Sequence, residues 1–330
     1  MTISKIAEAA GVSVPTVSKV LNGRADVAAD TRARVEELIR RHGYRRRRGS
    51  GAARSSLIDL VFHELDSAWA VEVIRGVENV ARSEGLSVVL TETGGEKTPR
   101  DDWVDSVLAR HTTAVVLVFS DLAPEQRGRL TARGIPCVVV DPAGDPAPDM
   151  PAVGSANWSG GLAATRHLLE LGHRRIGVIG GPRSVLCSRA RIDGYASALD
   201  SAGIEVDPEL VRHGDFHVES GRDRGRELLL LDEPPTAVFA GSDLHAMGLY
   251  EAARELGVRI PEDLSVVGYD DLPVARWVGP PLTTVRQPLT EMAEEATRMA
   301  LTLARGESPP NPRLDLATDL VVRGSTAPPR

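Results

Sequence analysis

The chain has 330 residues, 42% of them apolar and 26% charged, a balance that excludes a largely disordered polypeptide and leaves room for two or three domains. No apolar run approaches the roughly 20 residues of a bilayer span, the first 30 residues are charged throughout, and Cys137 and Cys187 form neither a disulfide framework nor a metal-ligand spacing. A cytoplasmic protein with no cofactor and no metal is expected. The net charge of −7 is uneven: residues 1–54 hold twelve basic and five acidic side chains, a net +7, which leaves −14 for the rest. A basic head on an acidic body points to an electropositive module carried by a domain with another job.

Ile3, Ile6, Ala7 and Ala10 repeat with helical spacing, and Thr2 can cap that helix. Gly11 breaks it, Ser13 can cap the next one, and Pro15 sits in a first turn, where its missing N–H costs nothing. Val17, Val20 and Leu21 form the buried stripe of the second helix. A third runs from about Asp30 to His42, with Val35, Leu38 and Ile39 inward and Gly43 as its C-terminal cap. Helix, tight glycine turn, helix and a third packing helix make the helix-turn-helix plan, whose second helix lies in the major groove. A three-helix packing domain without DNA contact is the alternative; the +7 charge and the short polar residues along the second helix favour DNA.

The run Thr2-Ile3, Ile6-Ala7, Ala10-Gly11-Val12-Ser13 and Thr16 to Gly23, continued by Thr31-Arg32, Val35 and Gly43-Tyr44, resembles the DNA-binding head of the lac/gal repressor family. The resemblance implies that Val14, Pro15 and Lys19 read bases and that Thr16, Ser18 and Asn22 contact phosphates. With Ser13, and with Arg45, Arg46, Arg47, Arg48 and Arg54 of the segment that follows, they form the expected DNA-binding set. The family usually has arginine at the position of Lys19; lysine still reaches guanine acceptors but lacks the bidentate fork. Pro15 discriminates only through apolar contact or shape.

Family members follow with a Pro-Asn and an Ala-Arg-x-Leu hinge helix. This chain has Arg45-Arg46-Arg47-Arg48-Gly49-Ser50-Gly51 instead, with Ala53, Arg54 and Leu57 as the remnant of the hinge. The arginines suit phosphate neutralisation or a narrow minor groove; the glycines disfavour a wedge helix by roughly 1 kcal/mol each. A solvated linker is the other reading.

From Leu57 onward, β-branched runs alternate with helical ones: strands at Leu57–Phe62, 86–91, 114–119, 136–140, 175–180, 236–240 and 264–268, and helices at 71–84, 158–171, 188–202, 217–231 and 243–256. This order predicts an α/β body of parallel sheets covered by helices, in two tandem lobes that bind ligand at the strands' C-terminal ends. Enzymatic signatures are broken. Gly94-Gly95-Glu96-Lys97-Thr98 lacks the glycine before the lysine of a phosphate loop, and Gly177 to Pro182 lacks the third glycine and helix start of a dinucleotide fingerprint. His213 and His217 have no partner ligands for a metal, and no nucleophile elbow occurs.

Arg75-Gly76, Gly160-Gly161, Leu171-Gly172-His173-Arg174-Arg175-Ile176, Arg191 with Gly194-Tyr195, Pro261 with Leu264 to Asp271, and Pro281 to Pro288 extend the resemblance over the effector domain of the same family, similar in fold to periplasmic sugar-binding proteins. It implies that Arg191 and Asp270 hydrogen-bond the effector, with Asn157, Ser242 and Asp243 beside them. Ser242 stands where asparagine is common, and Ala156 replaces an aspartate before Asn157. Trp69, Trp158 and Trp277 fall on segments expected to be loops around one cleft, where indoles suit the apolar faces of pyranose rings or serve as structural plugs; Trp103 is assigned to packing.

The expected organisation is a three-helix head at 1–44, a linker at 45–56, and a two-lobed periplasmic-binding-protein-like core at 57–330. The lobes are 57–156 with 286–314, and 157–285 with 315–330. The expected function is a non-enzymatic homodimeric repressor that binds a pseudo-palindromic double-stranded operator and is switched by a sugar or oligosaccharide, with no membrane association. A sugar-binding protein without DNA contact and a non-specific DNA binder are the competing readings.

Overall fold

A computed structural model describes residues 3–21, 27–41, 56–65 and 68–330. The head consists of α1 (Ile3–Ala10), α2 (Val14–Leu21) and α3 (Ala29–Arg41). Ile6, Ala7, Ala10, Val17, Val20, Val35 and Ile39 bury together, so the apolar stripes read from the sequence converge on one small core. Gly11, at φ 66°, reverses the chain, and the Val12 N–H donates to the Ala7 carbonyl at 3.0 Å. The Thr16 N–H donates to Ser13 Oγ at 3.2 Å, the N-cap that the sequence predicts. Asp30 in the first turn of α3 and Arg40 and Arg41 in its last turn match the helix dipole. The expected cap at Thr2, the stop at Asn22-Gly23, Gly43-Tyr44 and the linker residues Arg45, Arg46, Arg47, Arg48, Ala53 and Arg54 lie outside the described residues. Leu57 is the first residue of a strand, paired with Ser87, with its carbonyl accepting the Thr113 N–H at 2.9 Å. Its backbone is committed to a sheet and not to a hinge helix.

Two six-stranded sheets follow. The first has the order β11-β5-β4-β3-β1-β2, with β1 (Leu57–Phe62), β2 (Ser87–Glu92), β3 (Ala114–Val118), β4 (Cys137–Val140), β5 (Ala152–Ser155) and β11 (Arg313–Leu316). The second has the order β12-β10-β9-β8-β6-β7, with β6 (Ile176–Gly180), β7 (Val211–His213), β8 (Ala237–Ala240), β9 (Ser265–Asp270), β10 (Thr283–Arg286) and β12 (Asp319–Val321). β12 runs antiparallel to β10, while β10, β9, β8, β6 and β7 pair in parallel. Parallel central strands are covered on both faces, which explains the unbroken apolar runs of β3 and β8. The helices are α4 (Ala68–Ser83), α5 (Asp101–Arg110), α6 (Pro124–Ala132), α7 (Asn157–Glu170), α8 (Leu186–Ser201), α9 (Val218–Leu229), α10 (Asp243–Leu256), the short α11 (Val274–Trp277) and α12 (Leu289–Ala304). Among the described residues, no helix is long and apolar enough to cross a membrane.

The chain divides into two compact units: residues 1–64, 77–139 and 296–312, and residues 65–76, 140–295 and 313–330. Residues 65–76, 140–156 and 286–295, expected in the first lobe, therefore group with the second. Their side chains join its bonds, as when Gln287 Oε1 accepts from the Arg191 guanidinium at 2.8 Å. The expected break at 314/315 falls inside β11, whose ladder with β5 continues to Leu316 and Ser155.

In the second unit α7 and α8 meet backbone to backbone. A Cβ on Gly161 would lie 2.1 Å from the Arg191 carbonyl oxygen, and one on Gly194 would lie 2.2 Å from that of Trp158. This crossing fixes the first turn of α7 against the middle of α8. Gly161→Ala is expected to destabilise the second unit by about 3 kcal/mol, the upper end for overpacking, because main chain cannot swing aside. Thermal denaturation measures this.

Candidate functional site

On α2, Val17 and Val20 face the core, while Val14, Pro15 and Lys19 are exposed and Thr16 and Ser18 are half-buried. The structure thus puts the expected base-reading residues on the open side of the helix. The Ser13 hydroxyl lies 2.8 Å from Thr16 Oγ1 and caps the helix, so it acts first as a local staple. Asn22 and the arginines after Tyr44 lie outside the described residues.

The second unit holds a buried polar cluster centred on Arg191. From α8 its guanidinium donates to Asn157 Oδ1 at 2.8 Å, to the Gly241 carbonyl at 2.6 Å and to Gln287 Oε1 at 2.8 Å. Its carbon sits 3.7 Å from the centroid of the Tyr269 ring, a cation–π contact. These three bonds use one N–H from each nitrogen and leave two of the five donors. Asp270, at the end of β9, approaches at 3.8 Å, and its buried Oδ1 accepts no hydrogen bond from any described residue. An orphaned buried carboxylate oxygen is costly unless something supplies a donor, and here it faces a fixed donor fork.

Burial pushes the Asp270 carboxyl up to about 7, against the pull of Arg191, with Asp141 adding to the rise. Asp141, just beyond β4, is also raised by burial, while Arg191 and a hydrogen bond to Gln287 oppose the rise. Asp141 and Asp270 have φ of 47° and 113°, strained values for residues with a side chain. Each follows or ends a parallel strand, where such sheets place ligand-binding groups.

Two of the expected effector residues are engaged by the protein itself. Ser242 is the N-cap of α10, its Oγ accepting the His245 N–H at 3.0 Å. Asp243 is fully buried and spends both oxygens on the protein, taking Thr284 Oγ1 at 2.6 Å and the Leu272 N–H at 2.7 Å. These bonds hold the strand ends in place. Trp69, Trp158 and Trp277 stand at helix ends and not on free loops: Trp69 half-buried near the start of α4, Trp158 in the first turn of α7, and Trp277 ending α11. Trp103 is buried, as packing requires. Gln287, Asp141 and Tyr269 were not singled out from the sequence, although Gln287 and Tyr269 lie within the matched phrases and Asp141 immediately follows a predicted strand. Gly180 and Gly181 serve packing: a Cβ there would strike Ile192 and Phe216. His213 bonds the Gly181 carbonyl at 3.1 Å, and no metal-ligand group occurs among the described residues.

Residues 2–47 match the model of bacterial regulatory proteins, lacI family, and residues 165–326 match a periplasmic binding protein-like domain. The HTH-type transcriptional repressor CytR of Escherichia coli K12 is 32% identical over 328 residues, covering 98% of this chain and 96% of the relative. Among solved structures, a transcriptional regulator CelR–cellobiose complex aligns with a TM-score of 0.75 at 34% identity, over 98% of this chain and 99% of the other. The lac repressor dimer bound to operator and the anti-inducer ONPF aligns with a TM-score of 0.71 at 27% identity, over 99% of both chains.

Proposed function

The chain belongs to the lacI family of bacterial regulatory proteins and is a helix-turn-helix transcriptional regulator; from that premise we propose that it represses carbohydrate-utilisation genes and that a sugar held at Arg191 and Asp270 switches its grip on the operator. The observation that carries the sugar is the donor fork set against the orphaned Asp270 oxygen. Vicinal hydroxyls both donate and accept, so one pyranose edge can satisfy the two remaining guanidinium N–H groups and the carboxylate together. The alignment with a regulator holding cellobiose supports the same ligand class. The protein acts in the cytoplasm as a non-enzymatic homodimer, because a two-fold protein matches the two half-sites of a pseudo-palindrome. Asn157, fixed by Arg191 and by its own bond to the Ser155 carbonyl at 3.1 Å, positions the fork.

Thermal shift with a panel of mono- and oligosaccharides tests this reading. A ligand at 100 times its Kd adds about 2.7 kcal/mol of stability, a shift that is easily seen; a flat panel contradicts it.

Asp270 makes the binding depend on pH. Hydroxyl donors favour the ionised carboxylate, so binding lowers a pKa that starts near 7 and releases a proton below it. Affinity is expected to rise by up to about tenfold per pH unit on approaching 7 from below and to level off above. For the sugar-free protein the sign is opposite. Asp270 holds its proton longer in the folded state than at its ordinary 3.8, so its contribution to stability falls as pH rises from about 4 through 7. Calorimetry at several pH values checks this, and Asp270→Asn is expected to flatten the binding profile.

A further inference from the structure

Beside the Arg191 cluster, within the second unit, lies a cavity of about 340 Å³ that shares Asp270 and Gln287 with it. On its rim stands Trp277, 79% exposed. A flat apolar ring left almost wholly in water, at the lip of a polar cavity, offers a stacking surface.

The cavity's charges define what can stack there. Three guanidiniums, those of Arg75, Arg276 and Arg286, line it together with four carboxylates. Arg75 is taken by Glu72, with N–O distances of 2.8 and 2.9 Å to its two oxygens. Arg286 donates Nε to Asp271 at 2.8 Å, and Arg276 approaches the same carboxylate at 3.8 Å. The cavity therefore carries no cationic excess to draw an anion, yet it remains dense in donors and acceptors, since the Asp271 bond uses one of the five N–H groups of Arg286. Alternating donors and acceptors with an indole beside them fit a neutral polyhydroxylated ring. Asp270 and Gln287 belong both to the Arg191 cluster and to the lining of this cavity, so a second ring placed in the cavity adjoins a first ring held at Arg191 and Asp270.

We propose that this cavity is a second sugar subsite and that the effector is a neutral oligosaccharide of at least two rings, whose outer ring stacks on Trp277. The proposal rests on the sugar reading above and adds the length requirement and the residues that impose it.

The test is isothermal titration of the full chain, wild type and Trp277→Ala, with glucose, cellobiose, maltose, xylose, xylobiose and glucuronic acid. In the wild type at least one disaccharide is expected to bind about tenfold tighter than its own monosaccharide, the ratio that one aromatic stacking contact of about 1.5 kcal/mol supplies. In Trp277→Ala that ratio falls to near one, while Trp277→Phe retains part of it. Indole emission should move to shorter wavelength with the disaccharide and not with the monosaccharide. Equal affinities for one and two rings, a ratio indifferent to Trp277→Ala, or tighter binding of glucuronic acid than of glucose would overturn the subsite while leaving the sugar reading standing. No heat with any probe would overturn both.

Discussion

Replacing Arg191 with alanine is expected to cost roughly 3–5 kcal/mol of stability, the usual penalty for removing one partner of a buried charged network, and to abolish the response to sugar. The loss is large because the guanidinium satisfies three acceptors at once. Without it, Asn157 Oδ1, the Gly241 carbonyl and Gln287 Oε1 are left without that donor in the interior. Asp270 and Asp141, already raised by burial, lose the cation that opposes their rise. Both carboxyls would then be pushed further up, which weakens Asp270 as the ionised acceptor that a sugar hydroxyl favours. Arg191→Lys keeps the charge but cannot hold three partners with one ammonium in the plane above Tyr269, so it should fall between wild type and alanine. Denaturant unfolding measures the stability difference, and titration with the sugar found in the panel measures the binding loss.

Val17→Asp is expected to remove operator binding altogether while leaving the second unit folded. Val17 is fully buried among the seven residues of the head core. An unpaired carboxylate there costs several kcal/mol, and three short helices have little burial in reserve. The expected signature is loss of helical signal corresponding to α1 to α3, loss of gel shift on operator DNA, and an unchanged thermal shift with sugar. Loss of the sugar response together with DNA binding would mean that the head and the second unit do not fold as separate cores.

Strands buried on both faces were legible because they read as continuous β-branched runs: β1, β3, β6, β8 and β9 stand within two residues of where the sequence places them. β5, β7, β10, β11 and β12 were not. β5 and β10 are largely buried but only four residues long, with small or hydroxyl side chains that make no apolar run. β7, β11 and β12 are short, half-exposed strands with charged residues, such as Arg-Leu-Asp-Leu in β11, and only their pairing with a neighbour defines them. α12 shows its apolar face once packed, through Met292, Ala293, Ala296 and Ala300, but its first turn follows a proline and its outer side is acidic. In the site, Arg191 and Asp270 were found by resemblance, and the structure brings them together. Asp243 was expected beside Asp270 at the effector, also by resemblance. What separates them is saturation: Asp243 has two protein donors, whereas Asp270 keeps one oxygen without any. No local pattern encodes that difference, because the donors come from Leu272 and Thr284, far along the chain. Asp141 and Gln287 escaped notice for the same reason, since their roles arise only where the ends of β4 and β10 converge on Arg191.

The charge asymmetry also has its place in the account. The excess of +7 lies in residues 1–54, which carry the head, and the −14 lies in the remainder, which lowers the tendency of the effector-binding part to adhere to DNA phosphates. A sugar must favour one state by several kcal/mol to change operator occupancy fully.

The measurement closest to the central claim is footprinting of the full chain on the DNA flanking its own gene, with and without each sugar of the panel. The account predicts a protected segment with two-fold symmetry whose occupancy changes when one oligosaccharide is present and does not change in Arg191→Ala. Even protection of unrelated DNA, or a symmetric footprint indifferent to every sugar, would contradict it.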